Sequence, residues 1–314
     1  MAKFRDTDVD ATTVVEAARA TPAGGAAAAE PAFVDRSIGD ILAELRHLSA
    51  EQVEKVLAHQ RAQGLRFGEA AVALGLASKD DVLFALSQQF HYPYAPEEKG
   101  RLKGDLVALN EPFSARAEGF RALRSQLMMR LFGDPDPAIA GGRALAIISP
   151  DIGDGKTYAA TNLAVTLAQL GGRTLLVDAD MRSPRVHEVF SLHNHSGLSG
   201  ILSGRADKQV IQQVSAIPSL FVLPVGITPP NPQELLERPA FSLLMRELVS
   251  KFDHVVVDTP AAVHGADAAV IAAKCGAALV LARKDSSRTA ALRELVASLA
   301  GAPVKMVGVV FNEI

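Results

Sequence analysis

The amino-acid sequence predicts an α/β fold in which helices cover both faces of a mainly parallel sheet, preceded by a small all-α repeat domain and a disordered leader. Three observations carry this expectation. From about residue 113 onward, short Val-, Ile- and Leu-rich runs alternate with segments of helical spacing, the pattern of strands buried on both faces. One of these runs, residues 144–149, leads straight into a glycine-containing loop and a helical segment. Between residues 37 and 89, apolar residues recur at helical spacing in two similar copies.

Bulk composition fits this organisation. The chain has 314 residues, enough for two cores, with 48% hydrophobic and 21% charged residues as in globular proteins. A net charge of -3 gives no reason to expect nucleic acid as a partner. One cysteine, Cys275, excludes an intramolecular disulfide and fits a reducing compartment. Its neighbours Ala272, Ala273 and Ala277 mark it as a small buried residue rather than a nucleophile. The most apolar stretch, residues 263–282, is interrupted by Asp267, Lys274 and Gly276, so no segment is expected to span a membrane. The charged N-terminus has no apolar core and does not read as a signal peptide.

Along the chain, residues 1–36 are rich in Ala, Thr and Pro and are expected to form the disordered leader. Residues 37–95 form the all-α domain. Ile38, Gly39, Ser49, Val53, Leu57 and Gln60 recur 29 positions later as Phe67, Gly68, Ser78, Val82, Leu86 and Gln89. Ser49 with Gln52, and Ser78 with Asp81, have capping-box spacing, so each copy reads as helix, turn, helix. Residues 96–112 hold Pro96, Gly100, Gly104 and Pro112 and read as a linker. Residues 113–314 are the α/β domain. Strands are expected at 144–149, 174–178, 220–224, 254–258, 278–282 and 304–311, and helices at 158–170, 241–249, 266–274 and 289–299.

The loop after the first strand contains Gly153, Asp154, Gly155, Lys156, Thr157 and Tyr158. Glycines let backbone N–H groups turn inward around phosphate oxygens, and the following helix adds its positive end. Lys156 can reach the outer phosphates of a nucleotide, and the Thr157 hydroxyl can bind Mg²⁺. The domain thus reads as a P-loop NTPase. Pro150 stands where the usual pattern has its first Gly, and a turn capping a helix is the plain alternative for the loop taken alone. Strand-end acids complete the pattern: Asp178 and Asp180 after one strand, Asp258 after another. Carboxylates at that edge can hold Mg²⁺ directly or through water. Any single one could be a helix cap, but three in this order alongside the loop point to a metal–nucleotide site.

Residues 149–157 followed by Leu175-Leu176-Val177-Asp178-Ala179-Asp180-Met181-Arg182-Ser183-Pro184 resemble the bacterial tyrosine autokinases of exopolysaccharide synthesis. That family has a Walker A loop, an Asp-x-Asp Walker A′ motif and a Walker B Asp-Thr-Pro. Glu118, Arg121 and Arg124 match its E-x-x-R-x-x-R oligomerisation motif, and residues 223–226 and 229–236 resemble its L-P-x-G and P-P-N-P-x-E-L-L stretches. The likeness covers about residues 113–312, and the nearest subgroup is the EpsG-type, chain-length-determinant-associated kinases. The resemblance implies ATP and Mg²⁺ as cofactors, with Lys156 and Thr157 at the phosphates. It implies Asp178 as base or metal-side carboxylate, with Asp180 and Asp258 completing the Mg²⁺ shell. It also implies a homo-oligomer, recruited to the inner face of the cell membrane by a polysaccharide copolymerase.

The sequence departs from the family in two places. Tyrosines stand at Tyr92, Tyr94 and Tyr158 rather than in a C-terminal cluster, and Ala261 replaces the second Pro of the Walker B motif. Nucleotide binding is therefore better founded on the residues than tyrosine phosphorylation, and an ATP-gated assembly switch is the rival reading. Division-site and partition ATPases of the same fold carry a Lys five residues before the loop Lys, where Asp151 stands here. The N-terminal repeat resembles the paired motif of the cyclic-di-GMP-binding module of secretion and pilus ATPases, at residues 37–60 and 66–89. The second copy keeps Arg66, Gly68, Gly75 and Gln89, whereas the first has Ser37 for the Arg and Arg46 for a Gly. This implies either a cyclic-di-GMP site, with glycines permitting close approach to guanine, or a protein-docking helical domain.

Overall fold

The computed structural model describes residues 37–89, 105–133, 144–205 and 210–313. It divides into two compact units, one holding residues 37–89 and the other the described residues from 105 onward. The expected leader, Tyr92 and Tyr94 lie outside the described residues.

The smaller unit contains α1 (Ile38–Leu45), α2 (Ala50–Gln63), α3 (Phe67–Ala73) and α4 (Lys79–Gln89), the two helix–turn–helix copies that the repeat predicts. Its helix starts are set by side chains. Ser49 accepts from the Gln52 N–H while the Gln52 side chain accepts from the Ser49 N–H, and Ser78 and Asp81 repeat the exchange. Leu42, Val56, Ala70, Ala71 and Ala85 form the core. The two glycines expected to approach a guanine have structural reasons of their own. A Cβ on Gly68 would stand 2.6 Å from Val82 Cγ1, so glycine there allows α3 to press on α4. Gly75 has φ +68° in the turn between them. Arg66 caps α3 through its backbone, its N–H donating to Glu69 at 2.8 Å, and Gln89 ends α4.

Among its described residues the larger unit has seven strands: β1 (Ala144–Ile148), β2 (Thr174–Asp178), β3 (Gln212–Gln213), β4 (Leu220–Leu223), β5 (His254–Asp258), β6 (Gly276–Arg283) and β7 (Lys305–Asn312). Their order is β3-β4-β2-β5-β1-β6-β7, parallel throughout except for β3 against β4. Every residue of β1, β2 and β5 is buried. Successive side chains enter opposite layers: Ala144, Ala146 and Ile148 face one core, Leu145 and Ile147 the other.

The helices in chain order are α5 (Val107–Asn110), α6 (Ala115–Leu127), α7 (Lys156–Ala168), α8 (Val186–Val189), α9 (Leu198–Leu202), α10 (Pro232–Glu237), α11 (Pro239–Lys251), α12 (Asp267–Cys275) and α13 (Thr289–Leu299). A π-helical turn, Met128–Phe132, follows α6. Phe241, Leu248, Ile271 and Leu295 from α11, α12 and α13 fill one layer; Leu163 and Leu167 from α7, with Leu127 from α6, fill the other. Both faces are covered, as expected. Burial pushes the Cys275 thiol up, so it stays protonated and inert.

One boundary differs. The linker reading of residues 96–112 runs too far, because Leu106, Val107, Ala108 and Leu109 are buried against this core. Asn162 of α7 fixes the segment, accepting from the Ala108 N–H at 2.9 Å and donating to the Asp105 carbonyl at 2.8 Å. Turn-forming residues on either side hid a short apolar run that packs.

Candidate active site

The strand order sets the three motifs side by side, since β2, β5 and β1 are neighbours. Parallel register places Asp178 beside Asp258 and Ile147 beside Asp258. The acids and the loop after β1 therefore meet at the carboxyl ends of the strands, the edge where ligands bind in open α/β sheets.

Gly153 and Gly155, at φ +84° and +95°, give the loop its left-handed turns. Lys156 is only 8% exposed, its Nζ donating to Ser149 Oγ at 2.9 Å and to the Asp151 carbonyl at 3.4 Å. Burial lowers its pKa, while Asp258, Asp154, Asp180 and Asp151 act in the opposite sense. Pro150 is accommodated, its carbonyl accepting from the Val263 N–H at 3.0 Å. Asp154 does not turn its carboxylate outward: it accepts from the Asp151 N–H at 2.9 Å and from the Ser287 hydroxyl at 2.6 Å, bracing the loop from within. Tyr158, grouped with the loop in the sequence, packs edge-on against Phe120 at 5.5 Å and belongs to the contact between α6 and α7.

The two strand-end acids are fully buried. Asp178 accepts from the Val186 N–H and the Asp180 N–H, each at 3.2 Å. Burial first, then the facing Asp258, raises it well above the usual carboxylate range. Asp258 accepts from the Thr157 hydroxyl at 2.6 Å, and burial raises it to about 7. Asp180 accepts from the Arg182 and Ser183 N–H groups at 3.1 and 3.0 Å, folding over its own loop.

Two buried carboxylates pressed together with a hydroxyl on one of them form a hard-oxygen donor set whose mutual repulsion a divalent cation relieves. Among the described residues no three His, Cys, Asp or Glu side chains gather into a metal cage. Mg²⁺ at nucleotide sites takes one or two carboxylates, a hydroxyl and phosphate oxygens, and Thr157, Asp178 and Asp258 fit that role.

This electrostatics has a measurable consequence. An unfolded Asp ionises near 3.8, but folded Asp258 holds its proton until about 7. The fold thus binds that proton more tightly, so its stabilising effect is full below the unfolded value and is lost as pH rises through 7. Between about pH 5 and pH 8 nucleotide-free protein should lose on the order of 2 kcal/mol that an Asp258→Asn variant keeps. Thermal unfolding of both proteins across that range checks the sign, and a steeper loss in the variant would refute it.

Several contacts had no signal in the sequence. Asn312, at the end of β7, donates to the Asp154 carbonyl at 3.0 Å, and a Cβ on Gly155 would collide with its side chain. Arg182 pairs in fork geometry with buried Asp267, at 2.7 and 3.3 Å, tying the loop after β2 to the start of α12. Glu118, Arg121 and Arg124 share α6 as their spacing predicts. Arg121 bonds Glu118 and the Pro112 carbonyl, and Arg124 donates to the Thr166 carbonyl of α7 at 2.9 Å.

Residues 145–314 match the CobQ/CobB/MinD/ParA nucleotide binding domain family. The tyrosine-protein kinase YwqD of Bacillus subtilis is 33% identical over 213 residues, 68% of this chain and 87% of that protein. EpsB of Ralstonia solanacearum is 35% identical over 207 residues, 66% of this chain but 27% of EpsB, so the chain spans about a quarter of that relative's length. The solved kinase domain of Escherichia coli tyrosine kinase ETK superposes with a TM-score of 0.61 at 30% identity, over 66% of this chain and 79% of that one.

Proposed function

The chain belongs to the bacterial tyrosine-protein kinase family, and we propose that it transfers the γ-phosphoryl group of ATP·Mg²⁺ to protein tyrosine in the control of exopolysaccharide polymerisation and export. The observation that carries this reading is the pairing of Asp178 and Asp258 at one sheet edge beside the Lys156 loop. The loop N–H groups and Lys156 bind the phosphates. Thr157 and Asp258, with Asp178, hold Mg²⁺, which when bound neutralises charge on the transferring group. Asp178, a carboxylate that burial and the facing Asp258 make more basic than a free one, takes the proton from the acceptor hydroxyl. Asp180 lies on the same loop and orders it through its two backbone bonds.

The test is transfer of labelled phosphate from ATP to tyrosine in the full chain and in an added acceptor protein. Nucleotide binding without any transfer would leave an ATP-gated assembly switch in place of a kinase.

No helix among the described residues is long and apolar enough to cross a membrane. Recruitment to the cytoplasmic face of the membrane by a chain-length-determining copolymerase is part of the proposal on the strength of the family likeness, as is self-association through α6. Removing both arginines, in Arg121→Ala with Arg124→Ala, should lower the oligomer mass measured by light scattering. Because both side chains also make intrachain bonds, circular dichroism must show the variant folded. An unchanged mass would leave the stripe as a structural brace alone.

A further inference from the structure

A second recess lies on the same sheet edge, outside the nucleotide site. It has a volume of about 530 Å³, and among the described residues its lining includes Arg205, Arg238, His195, Thr228 and Asn231 and no carboxylate. Its walls are the segment before α9 and the segment after β4, and they are joined backbone to backbone. Leu198 N–H donates to the Pro224 carbonyl at 2.8 Å and Ser199 N–H to the Val225 carbonyl at 2.9 Å. Asn194 accepts from the Gly226 N–H at 2.7 Å, and the Ser199 hydroxyl donates to the Ile227 carbonyl at 2.6 Å. Gly197 lies so close that a Cβ would strike the Pro224 carbonyl. Arg238 donates to the Leu202 carbonyl at 3.3 Å, which holds a guanidinium at the rim. The recess is therefore a built concavity with a cationic lining. Of the nearby acids of α10, Glu237 accepts from Gln233.

Position along the sheet gives the recess its meaning. The loop after β1 is braced on one side by Ser287 and Asn312, beside β6 and β7. On its other side, Thr157 bonds Asp258 of β5, and Asp178 of β2 lies next. The reacting end of a bound nucleotide therefore faces β5 and β2, and the next strand outward is β4. The recess at the end of β4 lies on the side from which an acceptor hydroxyl must approach Asp178.

We propose that this recess is the acceptor-docking subsite, taking acidic residues that flank the acceptor tyrosine in a peptide segment. The inference rests on the kinase reading for its position and on the lining for its charge preference. Arg205 and Arg238 supply the attraction, and Asn231 and Thr228 supply hydrogen-bonding groups for a peptide backbone.

The experiment uses two labelled peptides on the full chain with a non-hydrolysable ATP analogue and Mg²⁺. One copies residues 90–99, which hold Tyr92, Tyr94, Glu97 and Glu98; its twin replaces both Glu by Gln. Fluorescence anisotropy should show the acidic peptide binding about two- to fivefold tighter, the range for an accessible charge contact. Arg205→Glu should abolish that preference, and Arg205→Gln should halve it or more; the Arg205 side chain is exposed, so both variants should fold. Equal affinity for the two peptides, or a preference that survives Arg205→Glu, overturns the proposal. So does Arg205-dependent binding of an anionic oligosaccharide such as oligogalacturonate in the absence of peptide binding. Phosphate transfer is then measured with ATP. A charge preference without transfer to either peptide would defeat the kinase reading while leaving the subsite standing.

Discussion

Lys156→Met should abolish ATP·Mg²⁺ binding while leaving the larger unit folded. The ammonium is the cation at the base of the loop, and Asp258, Asp154, Asp180 and Asp151 all act on it. Without it, the acids around the loop face a polyanion with only the more exposed Arg283 and Arg288 to offset them. One charge-assisted bond to phosphate is worth roughly 1.5–3 kcal/mol, and the added repulsion should bring the loss of affinity to at least about a hundredfold. Folding should survive, because burial already disfavours the charged lysine and Met keeps the apolar stem. Calorimetric titration of wild type and variant measures the effect. Unchanged affinity would remove the loop from the nucleotide site.

Asp178→Asn should leave nucleotide bound and stop phosphate transfer. A positioned general base contributes typically 100- to 10,000-fold, and an amide cannot take the proton. The substitution also has a structural cost. Asp178 accepts from both the Val186 and the Asp180 N–H, and an Asn side chain has one oxygen to offer where two served. A lost buried bond of this kind costs about 1–3 kcal/mol, and denaturant unfolding should reveal it. The substitution also removes the repulsion between Asp178 and the facing Asp258, which partly offsets that cost. Single-turnover transfer beside fluorescent-nucleotide binding separates the effects. Transfer within twofold of wild type would reduce Asp178 to an anchor for α8.

Much of this arrangement was legible in the sequence, and the reason is burial. β1, β2 and β5 are buried along their whole length, so their apolar runs stand out, and the expected spans of β2 and β5 match those observed. Asp178 and Asp258 stand out as candidates because each ends such a run, and Lys156 and Thr157 because they follow the glycines of the loop after β1. The braces were not. Asn312 meets Asp154 across 158 positions, and Ser287 meets it across 133. A Ser or Asn at a strand end has no distinctive context until the sheet is assembled. β3 is two glutamines, Gln212–Gln213, with no β-forming side chain to mark them. The short helices α8, α9 and α10 lie among Gly and Pro, where local propensity argues for turns. Four consecutive apolar residues, Leu106 to Leu109, were the available sign that the linker ended early.

Asp178 and Asp258 are the last residues of β2 and β5, and each of those strands has a neighbour on both sides. Residues 149–155 are held instead by two backbone bonds, from Ala262 and Val263 to the Ser149 and Pro150 carbonyls, and by side-chain bonds from Lys156, Ser287 and Asn312. Under native fluctuations these halves of the site come apart on different schedules. The loop can open while the ladder stays closed, whereas the acids separate only when the sheet itself unfolds. The acids are thus fixed by the ladder on which the whole sheet depends, whereas the loop can be loosened by removing single contacts such as Asn312 without breaking that ladder.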